Sequence, residues 1–504
     1  MQKAETKAKP VTGKPFLQSA FCLQHSVFLL IALLALAVRL PQLGERPMHT
    51  DEAVNAYLAG ELLAGEHYQY DPHDRHGPAL LELTLPLVRF EGAKTFADLT
   101  ESQLRLVPVL VGSATALLLG AAVEIFGFIP CLVAALLFAG APLPVYYHRY
   151  FIHETLFVAA CLGLILAGGR ALRINSPLTA AFAGVCAAGM LACKETAGLH
   201  FLAMGLAIAI VRRRCKPVNI PSVKIWLGGG LGFLVTATLL FTWAGQNWPA
   251  LGDLFHALPH LAARAGGEGH QKPVWYYLVL LAGDWSGAAI LILAALGFSQ
   301  AFRRPAAGPR MFIAVYALLI LAIYSAIPYK TPWLALNFWL PISLLAGLAI
   351  ERIWLANPKP TVRAVILIGC AALGLLIIHD TRHWVFLQPA NEKNPYAYAQ
   401  TSDDLLRLPA RLEDLARENR LAHPRIAVVA ADPWPLPWYL RKFSSAGYWQ
   451  PNAETGEADF FITTTYVSGL LAARLKDFHP DFFGLRPNAL LILWSPPKID
   501  SRHE

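Results

Sequence analysis

Residues 26–43 read SVFLLIALLALAVRLPQL, and residues 49–57 read HTDEAVNAY. The first segment is apolar over nearly the whole of the about 20 residues that a helix needs to cross a bilayer. No small-residue cleavage site follows it, so we interpret it as a retained helix and not as a secretory signal. The second segment places two adjacent carboxylates, Asp51 and Glu52, where the chain leaves that span. A span followed directly by acidic residues is the feature from which the fold prediction starts.

The composition of the chain indicates an integral membrane protein. Of its 504 residues 55% are hydrophobic and 15% are charged, and the mean hydropathy is +0.44, which exceeds the usual range of soluble domains. Seven cysteines are present, with none after His379, so we expect no disulfide framework outside the membrane. The net charge of +8 comes mostly from short loops between apolar runs, which indicates membrane orientation and no nucleic-acid partner.

A hydropathy window of about 20 residues predicts eleven transmembrane helices. Their approximate bounds are residues 26–43, 104–126, 128–147, 152–170, 177–193, 197–211, 223–243, 274–298, 311–328, 333–350 and 362–379. Residues 177–211 are divided because CKETAG lies in their middle, and a charge at the bilayer centre costs about 2.5–3.5 kcal/mol on insertion scales.

Basic residues fall in alternate loops, which predicts the orientation of the chain. They are Lys3, Lys7, Lys9, Lys14, Arg170, Arg173, Arg212, Arg213, Arg214, Lys216, Arg303, Arg304, Arg310, Arg352, Lys359 and Arg363. We therefore predict a multi-pass protein of the plasma (inner) membrane with residues 1–25 as a cytoplasmic tail. An odd number of spans places the C-terminus on the opposite, extracytoplasmic side.

The longer hydrophilic pieces are predicted on the outer side, at residues 44–103, at 244–273 and after Asp380. Beyond Asp380 an amphipathic stretch alternates with short apolar runs, a pattern typical of a small α/β domain. The runs are RIAVVAA from Arg425, DFFITTTY from Asp459 and ALLILW from Ala489. The predicted organisation is a membrane domain at residues 26–379 and an extracytoplasmic α/β domain at 380–504.

The two carboxylates after the first span point in different directions on a helix, so only one of them readily faces a given site. On the functional interpretation Asp51 is a general base, or a ligand of a divalent cation such as Mg²⁺ or Mn²⁺. The structural alternative is helix capping, with Thr50 or Asp51 as the N-cap residue and acidic residues favoured in the first turn.

A second polar cluster lies in the same loop, in YDPHDRHGPALLELTLP from Tyr70. His73, Asp74, Arg75 and His76 precede a Gly-Pro turn. The two histidines lack a convincing set of further ligands, so we favour substrate or interfacial contacts and assign no metal site.

Ionisable residues recur near the outer ends of later spans. In YYHRYFIHET, Arg149, His153 and Glu154 follow aromatic residues, and the alternative is an interfacial belt with an arginine that reaches lipid phosphates. All three lie near the predicted membrane boundary.

Other ionisable residues lie at membrane depth, where such groups usually pair or line polar cavities. Lys194 and Glu195 in CKETAG are neighbours that pair poorly with each other, so we expect partners elsewhere. Lys330 in SAIPYKTPWL and Asp284 inside the eighth span are of the same kind. The alternative for each is a buried ion pair that holds helices together.

Cations and carboxylates on one membrane face suit the transfer of a sugar from a lipid phosphate. That reaction needs a carboxylate to accept the proton of the acceptor hydroxyl and fixed positive charge to stabilise the departing phosphate. The polyprenyl tail of such a donor would lie in the bilayer between helices.

The order of the motifs HTDEA, HGPALLELTLPL, RYFIHET and GMLACKETAG resembles the GT-C superfamily of membrane glycosyltransferases. The likeness is to the branch of dolichyl-phosphate-mannose protein mannosyltransferases and the bacterial aminoarabinose lipid A transferase, from about Val27 to Ala349. A closer likeness is to flippase activity-associated proteins, for which YDP, HGP, KPVWYYL and WPLPWYLR are expected and present. The tail does not resemble the β-trefoil module of the mannosyltransferases.

The resemblance implies a GT-C-like bundle of about eleven helices and an inverting glycosyltransferase with a polyprenyl-phosphate sugar donor. It implies that Asp51 is the base with Glu52 beside it, and that Lys194 faces the donor phosphate with Arg149 and Lys330 as supports. Substrate contacts are predicted for His76, His153, Glu154, Glu195, Asp284, Trp434, Trp438, Tyr439 and Arg441. The acceptor is a glycan, a lipid or a protein.

Two other functions are considered. A transporter or flippase for lipid-linked saccharides, or a protein associated with one, would use the same charged cavity without bond cleavage, but no paired repeats are visible. A catalytically silent scaffold would bind a partner through WPLPWYLR. The aromatic residues of that segment would either stack on sugar or seal the tail onto the membrane domain.

Overall fold

The computed structural model describes residues 14–71, 76–215, 221–267, 269–303 and 307–497. His73, Asp74 and Arg75 lie outside the described residues, as do residues 1–13 of the predicted cytoplasmic tail. The described chain is mostly helical, with one β-sheet near the C-terminus.

The α-helices are numbered here in chain order. They are α1 Lys14–Arg39, α2 Thr50–Leu63, α3 Ala79–Phe90, α4 Glu101–Ala121, α5 Val123–Phe126, α6 Phe128–Gly140, α7 Pro142–Tyr147, α8 Glu154–Ile174, α9 Pro177–Cys193, α10 Ala197–Arg214, α11 Val223–Phe241, α12 Ala250–Arg264, α13 Tyr276–Leu281, α14 Trp285–Ala301, α15 Ala307–Ala326, α16 Leu336–Ala356, α17 Pro360–Thr381, α18 Leu408–Glu418, α19 Leu436–Tyr439 and α20 Thr465–Leu470.

Six helices among the described residues are long and apolar enough to cross a membrane. They are Glu101–Ala121, Glu154–Ile174, Val223–Phe241, Gly308–Ala326, Pro332–Ala356 and Pro360–Leu387. Four shorter apolar helices accompany them, at Gln24–Arg39, Phe128–Gly140, Pro177–Cys193 and Trp285–Ala301. The helical membrane fold is confirmed, whereas the number of eleven spans stays a prediction. The bundle packs around α16, whose side chains from Leu336 to Ala349 are all buried.

Helix ends inside the predicted spans have local causes. The division of residues 177–211 is confirmed, because α9 ends at Cys193 and α10 begins at Ala197. The span at 274–298 was predicted to be continuous, which is wrong: α13 ends at Leu281 and Asp284 caps α14. Asp284 Oδ1 accepts from Gly287 N–H at 2.6 Å. Asp284 is therefore the N-cap at the break between α13 and α14 and does not lie within a helix.

The sheet has the order β2-β1-β3-β5-β4. Its strands are β1 Ile426–Val429, β2 Ala446–Trp449, β3 Phe460–Thr464, β4 His479–Arg486 and β5 Ala489–Ser495. β1 pairs in parallel with β2 and β3, and β5 pairs antiparallel with β3 and β4. The three predicted runs are β1, β3 and β5. β2 and β4 were not predicted, because both carry mostly exposed or half-exposed residues and lack a continuous apolar run.

Residues 389–401, here called the strap, link the last membrane helix to the sheet and cross over the first outer loop. The strap is held by hydroxyl groups of the α7 region and by the segment before α2. These bonds are Tyr146 Oη to Pro389 O at 2.8 Å, Tyr147 Oη to Tyr396 O at 2.7 Å, Tyr150 Oη to Gln400 Oε1 at 2.6 Å and Gln400 Nε2 to Pro47 O at 2.9 Å. The strap therefore packs directly against the loop that carries Asp51.

The opposite end of the bundle carries basic residues of the predicted cytoplasmic loops. Arg170 and Arg173 donate to Glu124 at 3.0 and 2.6 Å, and Arg310 donates to Glu351 at 2.6 Å. These pairs connect α8 to the start of α5 and α15 to α16, away from the strap.

Candidate active site

The N-cap of α2 is His49, and not Thr50 or Asp51 as the capping alternative predicted. Its backbone N–H donates to Glu52 Oε2 at 3.1 Å, and its Nδ1 accepts from Asp51 N–H at 3.1 Å. The other ring nitrogen, Nε2, lies 3.0 Å from Tyr398 O in the strap. Because a carbonyl only accepts, Nε2 carries the proton, and the ring is the neutral tautomer with Nδ1 as acceptor. The capping box thus fixes the backbone at Asp51.

Glu52, predicted beside the base, is fully buried and fully engaged. Arg105 clamps it from Nε to Oε1 at 2.7 Å and from Nη2 to Oε2 at 2.8 Å, and Phe151 N–H donates to Oε1 at 3.0 Å. Burial would raise its pKa, but Arg105 and Arg46 lower the pKa to about 2. A carboxylate in this state neither accepts a proton from a substrate nor reaches one, so the geometry assigns Glu52 a structural role.

Asp51 is the exposed member of the pair, with 47% of its side chain accessible. Its Oδ1 lies 3.9 Å from His49 Nδ1, which is no ion pair because that ring is neutral. The carboxylate is close enough to Lys194 and to Tyr398 to contribute to raising the pKa of each. The Asp51 carboxylate is therefore accessible and lies within electrostatic range of Lys194 and of Tyr398 in the strap.

Lys194 lies in the turn between α9 and α10, with its side chain 13% exposed. Its Nζ donates to Glu154 Oε1 at 2.5 Å, and Glu154 is the first residue of α8. Burial alone would lower the pKa of Lys194, but Glu154 raises it, with smaller contributions from Tyr329 and Asp51. The ammonium group is thus held charged at the inner wall of the site.

Glu195, the next residue, has different partners. It accepts from Tyr70 Oη at 2.9 Å and lies 3.0 Å from His76 Nδ1. Gly77 permits this contact, since a Cβ there would lie 2.4 Å from Ala192 O. The expectation that Lys194 and Glu195 find separate outside partners is confirmed. Burial would raise the pKa of Glu195, but His76 and the hydrogen bonds lower it to about 2.

Aromatic residues that the sequence did not single out stand around Asp51. The ring of Trp333 contacts His49 at 5.6 Å and Tyr398 at 5.9 Å between centroids. The Tyr398 hydroxyl lies 2.7 Å from His270 Nδ1, and the His270 ring is 4.8 Å from that of Tyr329. We call Tyr329, Trp333 and Tyr398 the aromatic wall. Tyr329 and Trp333 lie in the same motif as Lys330, which the sequence analysis predicted as a site residue. No motif near Tyr398 pointed to this site.

The two predicted supporting cations do not join Lys194. Lys330 is buried, and its Nζ donates to Ile327 O and to Lys272 O, the latter at 3.2 Å. Arg149 faces the connection between α1 and α2, where Nη2 donates to Pro41 O at 2.8 Å. Both are bonded to backbone carbonyls, so the geometry gives neither a direct contact with a phosphate beside Lys194.

Further predicted substrate contacts are either buried or already hydrogen-bonded. His153 is 4% exposed and packs edge-on against His76 at 5.3 Å. Asp284 accepts from Tyr396 Oη at 3.0 Å besides capping α14. Only His76 of these keeps a third of its side chain accessible.

The WPLPWYLR segment mainly seals the tail onto the membrane domain. Trp438 Nε1 donates to Glu101 Oε1 at 2.7 Å, Tyr439 Oη accepts from Met48 N–H at 2.9 Å, and Arg441 Nε donates to Leu99 O at 3.2 Å. Trp438 is fully buried, so its ring is not a sugar-stacking surface. Trp434 differs, because it is half-exposed and packs edge-on against Tyr57 of α2 at 5.8 Å.

Asp51 is the one carboxylate of the adjacent pair that is open to a divalent cation. Among the described residues there is no group of three or more His, Cys, Asp or Glu side chains that could hold a metal ion. The oxygens of Glu52 already accept from Arg105, Arg46 and Phe151. No step of the reaction is therefore assigned to a metal.

The architecture is a GT-C-like fold of the ArnT kind. The structure resembles that of ArnT from Cupriavidus metallidurans bound to undecaprenyl phosphate, with a TM-score of 0.65 and 15% identity over 92% of this chain and 97% of that one. It also resembles the archaeal oligosaccharyltransferase AglB from Archaeoglobus fulgidus, with a TM-score of 0.56 and 12% identity over 94% and 74% of the two chains. The resemblance predicted from the motifs is confirmed at the level of fold.

Sequence comparison narrows the likeness to particular relatives. Residues 92–243 match the family model of dolichyl-phosphate-mannose-protein mannosyltransferase. The chain is 30% identical over 166 residues to undecaprenyl phosphate-alpha-4-amino-4-deoxy-L-arabinose arabinosyl transferase 1 of Pseudomonas fluorescens, covering 32% of this chain and 29% of that protein. It is 24% identical over 194 residues to Dol-P-Man:Man(7)GlcNAc(2)-PP-Dol alpha-1,6-mannosyltransferase of Drosophila melanogaster, covering 38% and 27%. The chain thus matches less than a third of the length of these curated relatives.

Replacing His49 by alanine tests its role as the residue that positions Asp51. We expect a loss of about 0.5–2 kcal/mol in stability from the missing cap, and a fall in kcat with little change in KM for the donor. A His49→Asn variant supplies an equally good N-cap acceptor and should recover most of both losses. Thermal melting and steady-state kinetics measure these effects. Recovered stability without recovered kcat would instead give the imidazole ring a part in the chemistry.

Acidification tests the Glu195 contact. Its folded pKa of about 2 lies below its ordinary value of 4.5, so its contribution is complete above about pH 4.5 and is lost as the pH falls toward 2. The difference in Tm between the wild type and Glu195→Gln should therefore be largest near pH 6 and shrink by about pH 3. Glu61→Gln, in the outer loop that carries Tyr70 and His76, is the control and should show no such trend. A Tm difference that grows on acidification would contradict the assignment.

Proposed function

We propose that this protein is an inverting glycosyltransferase that moves a sugar from a polyprenyl-phosphate donor to an acceptor on the outer face of the membrane. The observation that carries the proposal is the half-exposed Asp51 carboxylate, fixed by the α2 cap and within electrostatic range of the charged Lys194. In this proposal the N-terminus is cytoplasmic and the sheet lies outside. The basic residues at the opposite end of the bundle support that orientation.

Asp51 acts as the general base. The acceptor hydroxyl gives its proton to the Asp51 carboxylate while its oxygen forms a bond to the anomeric carbon. The bond between that carbon and the phosphate oxygen breaks, and its electron pair leaves with the polyprenyl phosphate. Attack opposite the leaving group inverts the configuration. Glu52 holds the helix that presents Asp51 and takes no proton.

Lys194 stabilises the phosphate that leaves. An ammonium group has three N–H donors, and one of them is held by Glu154. The remaining donors are available to the phosphate oxygens as charge develops on them. Glu154 orients the lysine and keeps it charged. Lys330 and Arg149 then add positive potential from a distance, since both are bonded to backbone carbonyls.

The substrates follow from the surfaces beside these two groups. The polyprenyl tail lies among the apolar helices, and Tyr329 and Tyr398, the half-buried members of the aromatic wall, offer ring faces to a sugar. ArnT was solved with undecaprenyl phosphate, and the fold it shares with this chain supports a donor of that chemical kind. The acceptor is a glycan, a lipid or a protein exposed on the same face.

Release of polyprenyl phosphate tests the proposal. Purified protein in liposomes is given polyprenyl-phosphate sugars that carry a radiolabel in the sugar, with a membrane extract as the acceptor. We expect free polyprenyl phosphate and labelled acceptor to form together, and neither to form without the extract. Label that crosses the bilayer still attached to its lipid would support a transporter and overturn the proposal.

A further inference from the structure

Four arginine side chains are buried together behind the candidate active site. They are Arg39, Arg46, Arg105 and Arg149, each 7% exposed or less. Glu52 is the buried carboxylate that pairs with Arg46 and Arg105, and Arg39 is bonded to His148 and to backbone carbonyls. Positive charge therefore exceeds negative charge in a place where an uncompensated ion costs several kcal/mol.

A small cavity lies among three of these guanidinium groups. Its lining residues are Leu43, Arg46, Arg105, Arg149 and Val385. The cavity has room for one water molecule or one monatomic ion. The centre of a water-sized sphere can move within about 10 Å³ of it. No carboxylate lines it, so the wall consists of cations and two aliphatic side chains.

Two arginines that line the cavity have donors without a partner. Arg46 Nε and Arg149 Nη1 are buried and make no hydrogen bond, whereas the Nη2 atom of each residue is engaged. Arg46 Nη2 donates to Arg149 O at 2.9 Å, and Arg149 Nη2 donates to Gln42 O at 2.9 Å. A buried donor left unpaired costs about 1–3 kcal/mol, and more on a charged group.

The neighbouring cations raise the positive potential at Arg149. Burial and, in decreasing order, the charges of Arg46, Arg105 and Arg39 together lower the pKa of Arg149 to about 9. The charge of Glu45 raises the pKa of Arg149, but the Glu45 side chain is exposed. The cavity is thus electropositive, and two of the arginines that line it have N–H donors without a hydrogen-bond partner.

We propose that this cavity binds one chloride ion as a structural ligand. A chloride accepts from several N–H groups at once, fits the space of one water-sized particle and supplies the missing negative charge. Phosphate and carboxylate groups are too large for that space. The ion would tie the backbone at Gln42 and Arg46 to that at Arg149, and so brace the connection that leads to His49 and Asp51. This site is separate from the phosphate position proposed beside Lys194.

Halide dependence of the wild-type protein tests the proposal. The protein is purified in potassium gluconate, then melted in gluconate, chloride or bromide at equal ionic strength. We expect the Tm to be at least about 2 °C higher in either halide, because only the folded state binds the ion. Crystals soaked in bromide should show anomalous density between Arg46 and Arg149. Equal melting in all salts, or a cavity without bromide density, would mean that the cavity holds water and would overturn the proposal.

A pair of variants separates this site from a general salt effect. Arg149→Met removes a cavity donor, and Arg441→Met is the matched control, since Arg441 also bonds two carbonyls and stacks on an aromatic ring. The halide-dependent rise in Tm should vanish in Arg149→Met and persist in Arg441→Met. Loss of the rise in both variants would contradict the site. The bromide experiment uses the wild-type protein, so it tests the proposal even if Arg149→Met does not fold.

Discussion

Replacing Asp51 by asparagine is expected to abolish sugar transfer while leaving the protein folded. Asparagine cannot accept the proton of the acceptor hydroxyl, and general base catalysis contributes typically about 10²–10⁴-fold to a rate. Stability should hardly change, because the Asp51 side chain is about half accessible and the α2 cap uses its backbone N–H and not its carboxylate. Release of polyprenyl phosphate and the Tm are measured on the same preparation.

Glu61→Gln is the control for Asp51→Asn. Glu61 lies on the same helix and is a carboxylate outside the capping box, so its loss should leave transfer near the wild-type rate. If Asp51→Asn retains wild-type activity, Asp51 has no part in proton transfer. If Asp51→Asn loses thermal stability together with its activity, the Asp51 carboxylate has a structural role.

Replacing Glu52 by glutamine should have the largest effect on stability. The substitution removes the negative charge clamped by Arg105 and Arg46 and leaves both guanidinium groups buried without compensation. Breaking a buried ion pair in this way costs about 3–5 kcal/mol. We expect a large fall in Tm and in the yield of folded protein, as measured by thermal melting and by size-exclusion chromatography in detergent.

Glu124→Gln provides the comparison for Glu52→Gln. Glu124 also pairs with two arginines, Arg170 and Arg173, but about half of each side chain is accessible. Exposed pairs contribute about 0–1 kcal/mol, so this variant should melt close to the wild type. A Glu52→Gln protein with wild-type Tm but no transfer would move the role of base from Asp51 to Glu52.

Much of the membrane architecture could be predicted from the local sequence. Hydropathy located the first helix, and the charge in CKETAG divided α9 from α10, because a charged side chain is costly at the centre of a continuous span. Apolar runs located β1, β3 and β5, whose side chains are mostly buried. Where a strand is largely exposed, as in β2, the sequence had no such signal.

Capping and pairing were harder to predict, since they depend on neighbours outside the local pattern. Asp284 lies in an apolar stretch that satisfies a hydropathy window, yet its side chain caps α14. Trp438 in WPLPWYLR suited a sugar surface as well as an interface, and only its bond to Glu101 assigns it to the interface. In both cases the composition is compatible with either structure.

The sequence by itself determined that this chain is a helical membrane protein with a carboxylate pair directly after its first span and ionisable residues in the turn after α9. Only the tertiary structure decided which carboxylate is available: Arg105 and Phe151 engage Glu52, whereas Asp51 stays accessible. It also brought Tyr398 to His49 across 349 residues of chain. The physical reason is that hydropathy and capping act between near neighbours, whereas ion pairing and burial depend on which distant segments pack together.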